Sequence, residues 1–211
     1  MPFELIQACR PRQWTKNVLV FAAPLFSFRL DKDIWLAACG AMVAFLLVSS
    51  AIYLLNDCLD VEADRAHPAK CRRSIASGRV RRRTALATAA LLAVLSLLLS
   101  WAITPALAGV VLSYVVIQVA YCLSLKHQAL LDLFCISSGF LLRGMAGVLA
   151  AGLSFSPWFL LTVGLLALFL AIEKRKAELR VSTDRGVFSR HVLKRYSLPL
   201  LLRLESLVAK I

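Results

Sequence analysis

The chain has 211 residues, 60% of them hydrophobic, and carries 25 Lys and Arg against 12 Asp and Glu, a formal net charge of +13. A water-soluble domain of this length needs more polar surface, and the apolar residues lie in long runs, so composition favours a polytopic membrane protein. The bases lie in short segments between those runs and no base-reading motif is present, which points to anionic lipid headgroups and phosphorylated ligands and away from nucleic acid.

The N-terminal arm, "MPFELIQACRPRQW", lacks the apolar stretch and small-residue cleavage site of a signal peptide, so the first spans are expected to act as an uncleaved insertion signal. Its end, "RPRQWTKN", places Arg10, Gln13, Trp14, Lys16 and Asn17 just before the first apolar segment. That segment, about 14–28, is short and contains Pro24, so a tilted or kinked entry is predicted. Apolar runs of about twenty residues, enough for a helical span, follow at 35–55, 85–103, 106–125, 133–153 and 155–172. A last stretch, 197–211, reads as the start of a further helix. The expected fold is therefore all-α, a polytopic transmembrane helical bundle in one integral membrane domain over 1–211.

Basic and charge-poor connections alternate along the chain. The segment 57–84 has eight bases: Arg65, Lys70, Arg72, Arg73, Arg79, Arg81, Arg82 and Arg83. The segment 173–196 also has eight: Lys174, Arg175, Lys176, Arg180, Arg185, Arg190, Lys194 and Arg195. The arm carries Arg10, Arg12 and Lys16, the 126–132 connection carries Lys126, and the turns near 104 and 154 carry none. The positive-inside rule places the N-terminus and the basic loops in the cytoplasm, in an inner (cytoplasmic) membrane protein.

At the end of the run 35–55 stands the pattern N-D-x-x-D-x-x-x-D, formed by Asn56, Asp57, Asp60 and Asp64. At about 100° per residue the four share one helix face, with Glu62 opposite. Carboxylates gathered there need a cation among them. Mg²⁺ takes one or two carboxylates together with phosphate oxygens, which suits departure of a diphosphate. The bland alternative is a solvated acidic turn paired with the neighbouring arginines. The later segment "IEKRKAELR" places Lys174, Arg175 and Glu178 on one face, with no D-x-x-x-D. Bases there suit direct contact with a phosphate, although a positive-inside loop would be basic in any case. Arg143 lies about eleven residues, roughly 16 Å, along the helix from Asp132. An arginine near mid-bilayer costs about 2.5–3.5 kcal/mol on insertion scales, so it should face the bundle interior and hold a carboxylate or a phosphate. Tyr53 and Tyr121 lie near the same mouth, where packing and phosphate contact are equally open. His67 is expected to orient its loop. The tryptophans near span ends, Trp14 among them, read as an interfacial belt. The six cysteines show no CxxC pair and read as small buried hydrophobes.

The stretch 52–79, "IYLLNDCLDVEADRAHPAKCRRSIASGR", resembles the first aspartate-rich motif of the UbiA superfamily of membrane prenyltransferases, N-D-x-x-D-x-x-x-D followed by H-P-x-K-x-x-R-P-I-A-S-G. Ser74 departs from the family's proline, a change expected to loosen the loop while removing no charged group. "RPRQWTKN", "YCLSLKHQALLDLFCISSGFLLRGMAG" and "EKRKAE" resemble the polyprenyl-phosphate phosphoribosyltransferase branch, with Cys122 in place of a serine. The resemblance covers essentially the whole chain. It implies a helical bundle with a cytosol-facing cavity and Mg²⁺ held by Asp57, Asp60 and Asp64. It implies transfer of 5-phosphoribose from phosphoribosyl diphosphate to a polyprenyl phosphate of decaprenyl type, in cell-wall biosynthesis. Lys16, Asn17, Tyr53, Asn56, Lys70, Arg73, Tyr121, Lys126, Arg143, Lys174, Arg175 and Glu178 are then the expected substrate contacts. Prenyl transfer to an aromatic acceptor is the rival activity, which a second aspartate motif would have favoured. A non-enzymatic transporter or an inactive fragment is the other alternative. The family has nine membrane helices; six to seven are expected here, so the chain reads as incomplete at its C-terminus.

Overall fold

The computed structural model describes residues 2–154, 156–184 and 191–210, and all its described secondary structure is helical. Arg185 and Arg190 of the basic 173–196 segment lie outside the described residues. Five helices are long and apolar enough to cross a membrane. The chain divides into two compact units, Met1–Cys122 with Leu142–Phe155, and Leu123–Leu141 with Ser156–Ile211.

The first unit opens with a short helix, α1 (Pro2–Ala8), then an eleven-residue 3-10 segment (Pro11–Phe21) and a five-residue α2 (Ala22–Phe26). The expected kinked span at 14–28 is thus a broken segment. Runs of 3-10 helix this long are uncommon. Here three residues per turn stack Trp14, Asn17 and Val20 in a single stripe. Trp14 Nε1 donates to Ser50 Oγ at 3.1 Å, and Asn17 Nδ2 donates to Ser49 Oγ at 3.3 Å. Val20 is fully buried in the apolar core with Phe45, Val48, Val111 and Ala146. Trp14 thereby anchors the 3-10 segment to α3.

The 28-residue α3 (Lys32–Leu59) is the spine of this unit and packs against α5 (Arg82–Ile103). At 1.5 Å per residue it extends about 42 Å, beyond the roughly 30 Å of a hydrocarbon layer. Asp60, at φ −93° and ψ 10°, separates it from α4 (Val61–Ala66). The turn survives because Asp60 N donates to Asn56 O at 2.9 Å and Asp64 N donates to Asp60 O at 2.8 Å. Helix α4 stops at His67, extended ahead of Pro68 as a pre-proline residue prefers. His67 Nδ1 then accepts from Ala69 N at 3.1 Å and Lys70 N at 3.4 Å, which fixes the loop as expected. Between α5 and α6 (Pro105–Leu123), Thr104 is extended before Pro105, and its Oγ1 caps Leu107 N at 3.0 Å.

Helix α7 (Leu131–Ala150) ends in a Schellman motif. Leu153 N donates to Val148 O at 3.0 Å across Gly152, which takes φ +60°.

In the second unit, α8 (Pro157–Asp184) packs against α9 (Leu198–Lys210). Both begin with the same device, a serine hydroxyl as cap beside a proline in the first turn. Ser156 Oγ accepts from Phe159 N and Ser197 Oγ accepts from Leu200 N, each at 3.3 Å. Leu133, Ile172, Val192, Leu193 and Leu201 form the core. Helix α9 spans about 20 Å over its 13 residues, less than a bilayer crossing.

Candidate active site

The acidic motif spans the end of α3 and the first turn of α4, so its spacing becomes a physical face. Asp57 and Asp64 point inward and are buried, while Glu62 is exposed and pairs with Arg65 at 3.1 Å. Arg73, from the loop after α4, joins the two aspartates. Its Nη1 donates to Asp64 Oδ2 at 2.6 Å and to Asp57 Oδ1 at 3.1 Å. Asp57 Oδ1 also accepts from Arg10 Nη2. The Arg10 guanidinium lies over the Tyr53 ring, 5.1 Å from its centroid. Asp57 and Asp64 are 4% and 3% exposed, whereas the Arg10 and Arg73 side chains are 28% and 30% exposed, so the cations stand on the open side of the carboxylates. Buried carboxylates need partners of this kind, because leaving one uncompensated is strongly destabilising.

Lys16, Tyr53, Asn56, Asp60 and Lys70 are half-buried, and Tyr53 lies beneath the Arg10 guanidinium. Among the described residues no three His, Cys, Asp or Glu side chains converge closely enough to hold a metal ion by themselves. Two oxygens of Asp57 and Asp64 nevertheless meet at one cationic nitrogen. Mg²⁺ asks for one or two carboxylates plus phosphate oxygens, so this hard-oxygen pair fits it.

Ser74, buried at 4%, does not loosen the loop. Its hydroxyl donates to Glu4 Oε2 at 3.0 Å, and Arg79 Nη1 donates to Glu4 Oε1 at 3.0 Å. Both bonds tie α1 to the loop that carries Arg73.

Asn17 and Arg143 belong to a second, deeper cluster in the same unit. Arg143 Nε donates to Asn17 Oδ1 at 2.7 Å, and Nη2 donates to Tyr114 OH at 3.2 Å. Its guanidinium lies 5.0 Å from the Tyr114 ring centroid and 5.5 Å from that of Phe45. Charge-assisted bonds and the aromatic faces offset the burial of this cation. Tyr121 is half-buried on α6.

In the second unit Arg175 is the buried centre. Its Nε and Nη2 donate to Asp132 Oδ2 and Oδ1 at 2.6 and 2.9 Å, and its Nη1 donates to Glu178. Arg175 and Asp132 are 1% and 0% exposed. Lys174, one residue away, is exposed, and Lys126 is half-buried. The helix face that carries Arg175 is thus internal, and Lys174 is separated from it. Tyr196 OH accepts from Leu130 N at 3.0 Å. Burial pushes the Tyr196 hydroxyl up from its ordinary range and keeps it neutral as an acceptor.

Arg10, Tyr114 and Ser49 are functional-site neighbours absent from the expected substrate contacts. Tyr114 had a legible signal, a hydroxyl in mid-span with no water to bond. Arg10 had its place at the head of the "RPRQWTKN" stretch, but nothing local tied it to Asp57.

A family model described as the UbiA prenyltransferase family matches residues 18–191. The chain is 48% identical over 198 residues to the decaprenyl-phosphate phosphoribosyltransferase of Mycolicibacterium smegmatis, a match covering 92% of this chain and 62% of that protein. It is 44% identical over 202 residues to the protein of the same description from Corynebacterium glutamicum, covering 92% of this chain and 60% of the relative. The chain therefore spans less than two thirds of the length of these relatives. The fold is similar to that of a UbiA homolog from Archaeoglobus fulgidus bound to DMAPP and Mg²⁺. That likeness has a TM-score of 0.82 at 18% identity, over 98% of this chain and 75% of the other.

Proposed function

The chain belongs to the UbiA prenyltransferase family, and from that premise we propose that it transfers 5-phosphoribose from phosphoribosyl diphosphate to a polyprenyl phosphate of decaprenyl type. It is an integral membrane protein with five helices of spanning length and composition. We place its N-terminus and its 57–84 loop on the cytoplasmic face of the cytoplasmic membrane, where a water-soluble donor and a bilayer-bound acceptor meet.

The observation that carries this reading is the convergence of buried Asp57 and Asp64 on one cation, with Arg73 and Arg10 on the open side. In the proposed reaction the bond from the anomeric carbon to the diphosphate oxygen breaks, and diphosphate leaves with the electron pair. A lipid phosphate oxygen forms the new bond to that carbon. The attacking oxygen is already anionic, so no general base is required. Mg²⁺ held by Asp57 and Asp64, with Asp60 beside them, would neutralise charge on the departing diphosphate.

Asn56 orients the Asp57 turn, and Lys70 and Arg73 bind phosphate oxygens of the donor. Lys16 from the 3-10 segment and Tyr53 from α3 line the same mouth. Asn17 and Arg143 hold the 3-10 segment in place. Within the second unit Lys126 and Lys174 are assigned to phosphate, and Arg175 with Glu178 and Asp132 sets the helix from which Lys174 projects. Tyr121 is assigned to the same class of contact. Phosphoribosyl rather than prenyl transfer is favoured because Glu173 and Glu178 of that helix each pair with a base three residues away.

The test is a membrane assay with labelled phosphoribosyl diphosphate and polyprenyl phosphate. Mg²⁺-dependent label in the lipid extract, lost in Asp57→Asn and in Asp64→Asn, is expected. Undiminished label from either variant overturns the metal assignment. Transfer of a labelled prenyl group to an aromatic acceptor, with none of phosphoribose, overturns the substrate assignment.

A further inference from the structure

Asp57 accepts from two arginines through the same oxygen, Oδ1, and the two come from different places. Arg73 belongs to the loop that follows the acidic motif and also holds Asp64. Arg10 comes from the N-terminal arm, 47 residues away in sequence. We propose that Arg10 is a tethered counter-ion that stands in for the metal at Asp57, and that it turns to the diphosphate when metal and donor enter together. The proposal rests on the metal-and-diphosphate reading of this site.

Charge balance is the first argument. Asp57 and Asp64 supply two negative charges, and Arg10 and Arg73 supply two positive ones. A divalent cation entering this neutral group alone would leave a net excess of positive charge beside buried side chains. Coulomb repulsion inside a protein is screened far less than in water. A diphosphate arriving with the metal removes the excess and gives the guanidiniums new partners, for which their planar fork is well matched. Metal and diphosphate should therefore bind with strong positive coupling.

The backbone supplies the second argument. Arg10 takes φ 56° and ψ 65°, the left-handed region, immediately before Pro11. A Cβ disfavours that conformation, and so does a following proline. The arm is held there from both sides. Glu4 of α1 is fixed by Arg79 and Ser74, and Arg10 itself is fixed by Asp57. Residues in such conformations persist only where surrounding contacts enforce them. Loss of the Asp57 contact removes one of those constraints, so the exchange is helped by the relaxation of Arg10.

The Arg10 side chain also has a path out of the site. The Arg10 guanidinium already rests on the Tyr53 ring at 5.1 Å. That aromatic face keeps a displaced cation at the mouth of the site. Arg73 bridges two carboxylates from its own loop and has no equivalent second platform among its described contacts.

The experiment is Mn²⁺ binding, read by electron paramagnetic resonance on the purified full chain in detergent, with and without inorganic diphosphate. Wild type should bind Mn²⁺ weakly alone and much more tightly with diphosphate. Arg10→Gln should bind Mn²⁺ alone about tenfold more tightly than wild type, and the coupling to diphosphate should shrink, since the repulsion that diphosphate relieves is already gone. Arg10→Lys should retain weak binding of the metal alone. Equal or weaker Mn²⁺ binding by folded Arg10→Gln overturns the proposal. Wild-type Mn²⁺ affinity unmoved by diphosphate overturns it without any variant. An absence of Mn²⁺ binding to wild type under both conditions overturns the metal reading itself.

Discussion

Gly147 of α7 sits directly against the carbonyl of Val20, the last buried residue of the 3-10 stripe. A Cβ built at Gly147 would fall 1.9 Å from Val20 O and 3.0 Å from Val20 C. Those are backbone atoms, so no side-chain rotation can relieve the clash. Gly147→Ala is expected to push the 3-10 segment away from α7 and to destabilise the fold by about 1–3 kcal/mol, the usual range for overpacking. Gly109→Ala on α6 meets nothing within 4 Å and serves as the control. It should be neutral or stabilising, because alanine is the better helix former. Thermal unfolding in detergent separates the two. A Gly147→Ala protein that melts with wild type would show that this close approach does not constrain the segment.

The Arg175–Asp132 pair should behave as a structural buried ion pair. Both residues are essentially inaccessible and share two parallel bonds. Asp132→Ala removes the two-oxygen partner of the buried Arg175 charge. The expected loss is about 3–5 kcal/mol, the range for breaking one side of such a pair. The double variant Asp132→Leu with Arg175→Met should recover much of that loss, since both charges are gone. If Asp132→Ala kept its wild-type melting temperature but lost activity, the pair would be a ligand contact.

The Arg143 cluster predicts a graded series. Tyr114→Phe removes one acceptor of a charged donor, worth about 1.5–3 kcal/mol, but keeps the ring beneath the guanidinium. Asn17→Ala should cost more, because Asn17 links Arg143 to Ser49 as well. Arg143→Lys keeps a charge but cannot reach two acceptors in one plane, so it should not rescue. Unfolding measurements on the three variants give the order directly. Tyr114→Phe less stable than Asn17→Ala would contradict it.

How much of this could be read from the chain depends on the range of the interaction. The uncharged run from Trp35 to Asn56 is a local property, and α3 follows from it. The Thr104–Pro105 break and the turn at Gly152 are also local, because the backbone conformations required there are carried by single residues. The inward face of Asp57 and Asp64, opposite Glu62, followed from helical periodicity even though Asp60 interrupts the helix. The relatives of the UbiA family then agree with the motif-based reading. What stayed hidden involves partners remote in sequence. Ser74 meets Glu4 across 70 residues, Arg143 meets Asn17 across 126, and Arg175 meets Asp132 across 43. Periodicity says which face is buried but not which charge waits on the other side. The 3-10 geometry of Pro11–Phe21 was hidden for a related reason, since its stripe of Trp14, Asn17 and Val20 has meaning only against α3.

The cysteines provide a test of sidedness. Cys71 lies in the 57–84 loop and is half-buried, Cys39 is exposed on the face of α3, and Cys9 is buried beside α1. Burial pushes the Cys9 thiol up from its ordinary value, although its bond with Ser50 acts the other way. A raised pKa means less thiolate at any pH below it, and the thiolate is the nucleophile, so Cys9 should alkylate slowly. Cys39 lies within a span-length apolar helix, where a charged reagent does not enter. In single-cysteine variants, a membrane-impermeant maleimide should therefore label Cys71 fastest, and only from the cytoplasmic side. Inverted vesicles should label at Cys71 and right-side-out vesicles should not. The reverse pattern would place the acidic motif on the outer face, away from any cytoplasmic phosphoribosyl donor.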